Sequence, residues 1–334
     1  MKLKLLIVLP CAVNASRGNT TTARRLAEGL EARKHQVTII DVNALNDVSE
    51  KFDLLIACHA VDTAPLVQAW CVENNSQYVV LFTGTDLNGK PPAHVTAAVA
   101  AAEHCISLGA GPGRRAKDLF ECARGKTTII PQAVLSLPRS TKSDLPEGMP
   151  ALTNESELVI VPNGIRAIKN VSETLYEMAA LVKERPQLVV CFAGHDFGGK
   201  YSQEFHIELA KHSWAYYLGN LSRVELSAVV NASKIAISSS HSEGGAPNAL
   251  LECIAAGRPA LGSEIAPHRE LLGKENCFRF GKEMRRLVRS ILEDPEAAML
   301  TTRKLEEKVR FKHGLSAESL AWDRLLLTLT KGAS

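Results

Sequence analysis

The segment SHSEGGAPNALLECIAAGRPALGSEIAPHRELL, residues 240–272, gathers residue types at a spacing that can do chemistry. Gly244 and Gly245 follow a strand-like apolar run and precede a helical stretch. Pro247 suits a first helical turn, and Gly257 suits the residue just past a helix end. The spacing predicts a helix over roughly 247–256. On its wheel Leu250, Cys253 and Ile254 share one face. Asn248, Glu252, Ala255 and Ala256 form a narrow opposite face of mostly small residues. A carboxylate on such a face can point at a ligand. The glycines let backbone N–H groups approach closely, and a helix N-terminus favours an anion such as a diphosphate. The same spacing also fits a plain strand-to-helix turn with a solvated Glu.

Three shorter pieces lie in the first half. SRGNTTTARR, residues 16–25, places Gly18, Asn19 and Thr20 at the start of a helix, with Arg24 and Arg25 close by. Such a start can offer N–H groups to an anion, or it can be an ordinary capped helix. CHA, residues 58–60, puts His59 directly after a strand, where a titratable ring can serve a site or simply pack. TGTD, residues 83–86, offers the hydroxyl of Thr83 and the carboxylate of Asp86 after another strand, or an Asx-type turn.

The 240–272 segment resembles the C-terminal signature of glycosyltransferase family 4, whose fold is GT-B. A first Glu, a glycine turn, a second Glu and a small-Gly-x-Pro stretch recur there, matched here by Glu243, Gly244, Gly245, Glu252 and AAGRPALGS. The interval between the two Glu, GGAPNALL, is one residue longer than the family's usual one, and the extra residue falls at Ala246 or Pro247. PNGIRAIKN, residues 162–170, is similar to the family's segment after the first strand of the C-terminal domain. The resemblance implies that Gly164, Arg166 and Lys169 face the donor diphosphate, whose negative charge grows as it leaves. Arg166 and Lys169, taken alone, also read as surface charge. The combination of RGNxxTAxR, CHA, TGTDL and SEGGA is similar to the selenosugar synthase group of selenoneine biosynthesis, which joins a UDP-sugar to selenophosphate. It also resembles the group called glycosyltransferase 1 domain-containing proteins.

The resemblance implies a retaining, metal-independent transferase with front-face attack, no protein nucleophile and no cofactor, the nucleotide-sugar being a substrate. In that reading the catalytic set is His59, Glu243, Arg166 and Lys169. Gly164, Arg166, Lys169, Glu243, Gly244, Gly245, Ala246, Asn248 and Glu252 bind the donor, Glu252 taking ribose hydroxyls and Glu243 the sugar. Gly18, Asn19, Thr20, Thr83 and Asp86 bind the acceptor, either a small anion such as selenophosphate or a sugar or glycan hydroxyl. A GT-B epimerase or hydrolase would need an acid/base pair, and no carboxylate pairs with His59 or His241 in the sequence itself. A binding protein that has lost turnover is a further alternative, suggested by the lengthened interval. A nucleotide-dependent dehydrogenase is excluded, since no GxGxxG follows the first strand.

These residues need elements to hold them. The 334 residues fit two α/β domains, and 46% hydrophobic with 22% charged residues indicates a core-forming chain. Only 5% is aromatic, so the core rests on Val, Ile, Leu and Ala. The runs LKLLIVLP, QVTIID, DLLIACHA, YVVLFTGTD, HCISLGA and TTIIPQAV alternate with helical stretches, among them Ala23, Leu26, Ala27 and Leu30 on one stripe and the Ala-rich stretch 94–102. That rhythm predicts a doubly wound parallel sheet. Residues 136–157 are rich in Pro, Ser, Thr and charge and read as a linker. LVIVPNG, QLVVCFAG, YYLGN, KIAISSS and RPALGSE then begin a second series, with helices at 171–185, near 222–231 and 247–256, and a helical tail over 295–329. The expected fold is α/β: an N-terminal Rossmann-like acceptor domain, 1–150, and a C-terminal Rossmann-like donor domain, 151–315, facing across a cleft. A helix over 316–334 would pack back on the first domain.

A net charge of +3 does not point to nucleic acid or a membrane surface as partner. The run from Leu3 to Val13 is broken by Lys4 and Pro10 and reads as a strand, not a signal peptide or membrane span. Eight Cys without a CxxC or paired metal spacing read as buried, reduced thiols of a cytoplasmic protein.

Overall fold

A computed structural model describes residues 2–15, 18–243 and 245–331. The chain divides into two compact units. The first holds Met1–Ala133, Glu243–Ala246 and Phe311–Ser334, and the second holds Val134–Ser242 and Pro247–Arg310.

The first unit is built on six parallel strands: β1 (Lys4–Leu9), β2 (Gln36–Asp41), β3 (Leu54–Cys58), β4 (Tyr78–Phe82), β5 (His104–Ser107) and β6 (Thr127–Ile129). They lie in the order β2-β1-β3-β4-β5-β6. The inner strands are apolar throughout because both faces are covered. Leu6, Val8, Leu55, Ala57, Val80 and Phe82 pack on one side. Leu5, Ile7, Leu54, Ile56, Val79 and Leu81 pack on the other. That second face is closed by the first helix, Gly18–Glu31, and by Trp322 and Leu326 of the last helix, Leu315–Lys331. Arg25 of the first helix and Glu318 of the last form a two-pronged ion pair, Nε–Oε2 2.8 Å and Nη2–Oε1 3.0 Å, with the side chains only 1% and 2% exposed. Arg25 is therefore turned into the protein rather than toward a ligand at the helix start.

The second unit repeats the plan with β7 (Glu157–Val161), β8 (Leu188–Phe192), β9 (Ala215–Tyr217), β10 (Ile235–Ser238), β11 (Ala260–Ser263) and β12 (Cys277–Phe278). Their order is β12-β11-β10-β7-β8-β9, all parallel. Val159, Val161, Val190, Phe192, Ile235 and Ile237 belong to its main core cluster.

The start of the stretch read as a linker is bound to the helix Arg223–Ala232 of the second unit. Ser227 Oγ donates to Pro138 O at 2.6 Å, Ser140 Oγ donates to Ser227 Oγ at 3.0 Å, and Asn231 Nδ2 donates to Ser140 Oγ at 3.1 Å. These bonds move the division between units to Ala133/Val134, earlier than the break near 150 expected from composition. The predicted helical tail is two helices, Pro295–Lys312 and Leu315–Lys331, interrupted at Gly314, whose carbonyl accepts from Ala317 N and Glu318 N. No helix among the described residues is long and apolar enough to cross a membrane.

Candidate functional site

In a parallel sheet all carboxyl ends lie at one edge, so the loops after each strand meet there. In the second unit those loops are tied together by named bonds. The loop after β7 carries Gly164, Arg166 and Lys169. Its Ile165 N donates to His195 O at 2.9 Å, in the loop after β8. A Cβ on Gly164 would lie 2.9 Å from His195 O and from Phe197 Cε2, so only glycine fits against that loop. Arg166 extends over the Phe197 ring, its Cζ 4.9 Å from the centroid, and Phe197 remains 41% exposed. This is a cation–π contact that orients a guanidinium.

The β7 loop is also joined to the loop after β10. His241 N donates to Ile168 O at 2.9 Å and Ser239 Oγ donates to Lys169 O at 3.1 Å. Below these bonds Asn163 Nδ2 donates to Ser238 Oγ at 3.2 Å, and Ser263 of β11 donates to Ser240 O. The Arg166–Lys169 turn is thus held against the chain that leads into the Glu252 helix. That helix is Asn248–Ala255, close to the predicted 247–256, and Gly257 lies just past it with φ +72°. Pro247 is its N-cap rather than a residue of its first turn, with φ −66° and ψ 125°. Leu250, Leu251, Cys253 and Ile254 are buried, as the wheel requires of the core face.

Glu252 is itself nearly buried and has a partner that the sequence reading missed: Arg223 Nη1 donates to its Oε1 at 2.8 Å. Arg223 Nη2 donates to Leu135 O at 3.1 Å and Ser136 O at 3.0 Å. The root of Arg223 is fixed by a capping box, Ser222 N to Glu225 Oε2 and Glu225 N to Ser222 Oγ. The S-x-x-E pattern over 222–225 was the available signal for that helix start.

Glu243, Gly245 and Ala246 fall with the first unit. Gly245 pairs with Leu108, after β5, and a Cβ there would stand 2.7 Å from Leu108 Cβ. Close packing against Leu108 is thus a reason for this glycine that does not involve a ligand. Ala246 O accepts from Gln132 Nε2. Gly244 lies outside the described residues.

In the first unit His59 follows β3 with φ +88°, a conformation that strains a non-glycine residue by roughly 1–3 kcal/mol. Strong anchors hold it: His59 N donates to Leu81 O at 3.0 Å, and Thr63 Oγ1 donates to His59 O at 2.7 Å. Asp62 N lies 3.2 Å from His59 Nδ1, and His59 Nε2 lies 2.9 Å from Thr85 Oγ1, the role of each ring nitrogen being set by the tautomer. The Asp62 carboxylate stands 3.0 Å from the same Nδ1, within hydrogen-bond reach of the ring. This carboxylate, three residues on, was not paired with His59 in the sequence reading.

Asp86 is buried, and its carboxylate accepts from the N–H groups of Ala60 (2.9 Å), Thr83 (3.2 Å) and Gly84 (2.7 Å). It fastens the β3 end to the β4 end and so supports the posture of His59. The Thr83 hydroxyl is buried with no hydrogen-bond partner among the described residues. Thr20 is buried, its Oγ1 3.6 Å from Cys11 Sγ, whereas Gly18 is exposed and Asn19 half-buried at the helix start. Arg24 is exposed and donates to Val13 O at 2.9 Å.

Comparison with known proteins bears on the fold. Residues 150–312 match the family model described as glycosyl transferases group 1. A curated relative, glycosyltransferase 1 domain-containing protein 1 of Xenopus tropicalis, is 22% identical over 341 residues, covering 97% of this chain and 98% of its own. Among solved structures, Alr3699/HepE of Anabaena, in complex with UDP and glucose, superposes with a TM-score of 0.76 at 13% identity, covering 98% of this chain and 100% of its own. The catalytic domain of starch synthase IV of Arabidopsis thaliana, bound to ADP and acarbose, gives 0.75 at 9% identity, covering 99% and 100%. The chain has the GT-B fold of these neighbours, and its residues 150–312 are similar to the glycosyl transferases group 1 model.

Proposed function

We propose that the protein is a retaining glycosyltransferase that moves a sugar from a UDP-sugar to an acceptor. The observation that carries the reading is the bonded pair of loops in the second unit. The Gly164–Lys169 turn is fixed to the chain entering the Glu252 helix, inside the segment that matches the glycosyl transferases group 1 model. Arg166 and Lys169 would hold the diphosphate and steady its growing charge as the glycosidic bond breaks. Glu252 would accept from the ribose hydroxyls, since a carboxylate suits two adjacent O–H donors. Glu243 would contact the transferred sugar. The UDP and UDP-glucose complexes of the Anabaena neighbour favour uridine as the base.

Retention would follow from front-face attack, with the departing phosphate oxygen helping to take the acceptor's proton. Fixed cations and helix N–H groups would supply the charge neutralisation without a metal. The acceptor would use the first unit, by Gly18 and Asn19, and a compact anion such as selenophosphate is the acceptor class to try first.

A second reading is favoured by one observation, the His59–Asp62 pair at 3.0 Å. An imidazole with a carboxylate behind it is an acid/base device, as a hydrolase or epimerase of the same fold would need.

The test is a thermal-shift screen of UDP, GDP and ADP and their sugars, followed by product analysis with selenophosphate, thiophosphate and sugar acceptors. A bound diphosphate at a hundred times its Kd stabilises by about 2.7 kcal/mol. No shift with any nucleotide refutes the donor reading. Loss of UDP-sugar without acceptor, abolished by His59→Ala, moves the assignment to the hydrolase.

A further inference from the structure

We infer that Arg223 is a positioning residue for ribose recognition: it sets the Glu252 carboxylate in the orientation that accepts the nucleotide's hydroxyls. The inference rests on the donor reading above and adds to it a residue that lies outside both matched motifs.

The argument starts from the oddity of Glu252. It sits on a short helix whose neighbouring side chains, Leu251 and Cys253, are buried, and it is itself nearly buried. A carboxylate in that setting needs compensation, and its geometry is decided by whatever supplies it. Arg223 supplies it from another helix through Nη1 at 2.8 Å. The guanidinium is not left to swing, although its side chain is 44% exposed. Nη2 is held by two backbone carbonyls, Leu135 O and Ser136 O, and the backbone of Arg223 is held by the capping box. A planar fork held at two backbone carbonyls presents Nη1 to Glu252 Oε1 from a defined direction, which a flexible ammonium would not do. A carboxylate offers about four acceptor sites, so the bond from Arg223 to Oε1 does not by itself exhaust its capacity to accept from hydroxyls. The energetic consequence is preorganisation: the carboxylate does not have to be oriented when the nucleotide arrives.

The experiment compares UDP with 2′,3′-dideoxy-UDP by calorimetry in the full chain, for wild type, Arg223→Ala and Arg223→Gln. The ratio of the two Kd values isolates the hydroxyl contribution. A charge-assisted contact oriented by Arg223 predicts a wild-type ratio of at least about tenfold that falls toward one in Arg223→Ala. Arg223→Gln can donate to Glu252 or to a carbonyl but not to all three, and its ratio should also fall. It serves as the reading if Arg223→Ala does not fold. A purely structural Arg223 would lower the melting temperature and leave the ratio at its wild-type value in both variants. That result overturns the inference while leaving the donor reading intact. A wild-type ratio of one refutes the ribose role of Glu252 and this inference together, and wild type that does not bind UDP refutes the whole donor assignment.

Discussion

The ion pair between Arg25 and Glu318 separates two explanations of the first helix. Both side chains are almost fully buried and the contact is two-pronged, so removing one partner leaves a charge in the core without its counter-charge. Breaking such a pair costs about 3–5 kcal/mol. For a unit of this size, a loss of that order lowers the unfolding midpoint by about 6–20 °C, taking roughly 2–4 °C per kcal/mol. Glu318→Gln should show this, followed by the fluorescence of the buried Trp322, one helical turn beyond Glu318. Arg25→Met with Glu318→Leu removes both charges and keeps the volume, so it should recover most of the loss. A single variant that costs less than about 1 kcal/mol, the range of an exposed pair, would refute the argument that this pair clamps the last helix onto the first. The same calculation shows why charge reversal at Arg25 cannot test acceptor binding. Reversal at the exposed Arg24 can, and a raised acceptor KM is its expected result.

Three further outcomes are expected. Glu252→Ala should raise the Kd for UDP about tenfold or more while costing only about 1 kcal/mol of stability, because the Arg223 left behind is 44% exposed and keeps its two carbonyl acceptors; equal losses of affinity and stability would make Glu252 structural. All eight cysteines are free, and burial pushes the thiols of Cys58, Cys71, Cys105, Cys191 and Cys277 up to about 12 and that of Cys253 higher still. A thiol reagent at neutral pH should therefore label the half-buried Cys11 and Cys122 first, as read by mass spectrometry, and rapid labelling of Cys58 would contradict the packing. Asp196 is held down to about 2, first by the Ser202 hydroxyl and then by Gly198 N–H, with His206 adding to it. Its contribution to stability is complete above the ordinary value of 3.8 and is lost as pH falls toward 2. Asp196→Asn should therefore differ from wild type in denaturant unfolding at pH 6 and converge with it near pH 2.

Strands and helices whose faces are decided locally were legible in the sequence. Runs such as LLIVL and LLIAC are apolar at every position because a parallel sheet covered on both sides leaves no polar face, and the wheel of 248–255 gave its core side directly. Elements that depend on partners were not. The helix Gly199–Leu209 opens on Gly-Lys-Tyr and has a weak stripe, and β12 is two residues long, so neither had a period to be read. The linker signal at 136–157 was a correct reading of composition with the wrong consequence, because Ser, Thr and Pro carbonyls and hydroxyls are also what a helix such as Arg223–Ala232 can bind.

The site shows the same division. Gly164, Arg166 and Lys169 share one short loop, and a loop's residues travel together whatever the fold does with them. Arg223 and Glu252 are 29 positions apart, and Arg25 and Glu318 are 293 apart. Neither pair has a local signal: the first is made across two helices of the second unit, and the second where the last helix packs on the first. Asp62 is a different case, only three residues from His59. The i,i+3 contact goes with the left-handed φ at His59, a backbone turn that the sequence does not announce at a non-glycine residue. Asp86 holds the N–H of Ala60, the residue next to His59, and so braces the backbone on which the ring is carried. Its carboxylate accepts from three backbone donors that an amide cannot satisfy together, so Asp86→Asn should cost about 1–3 kcal/mol in denaturant unfolding, and an unchanged midpoint would refute that bracing role.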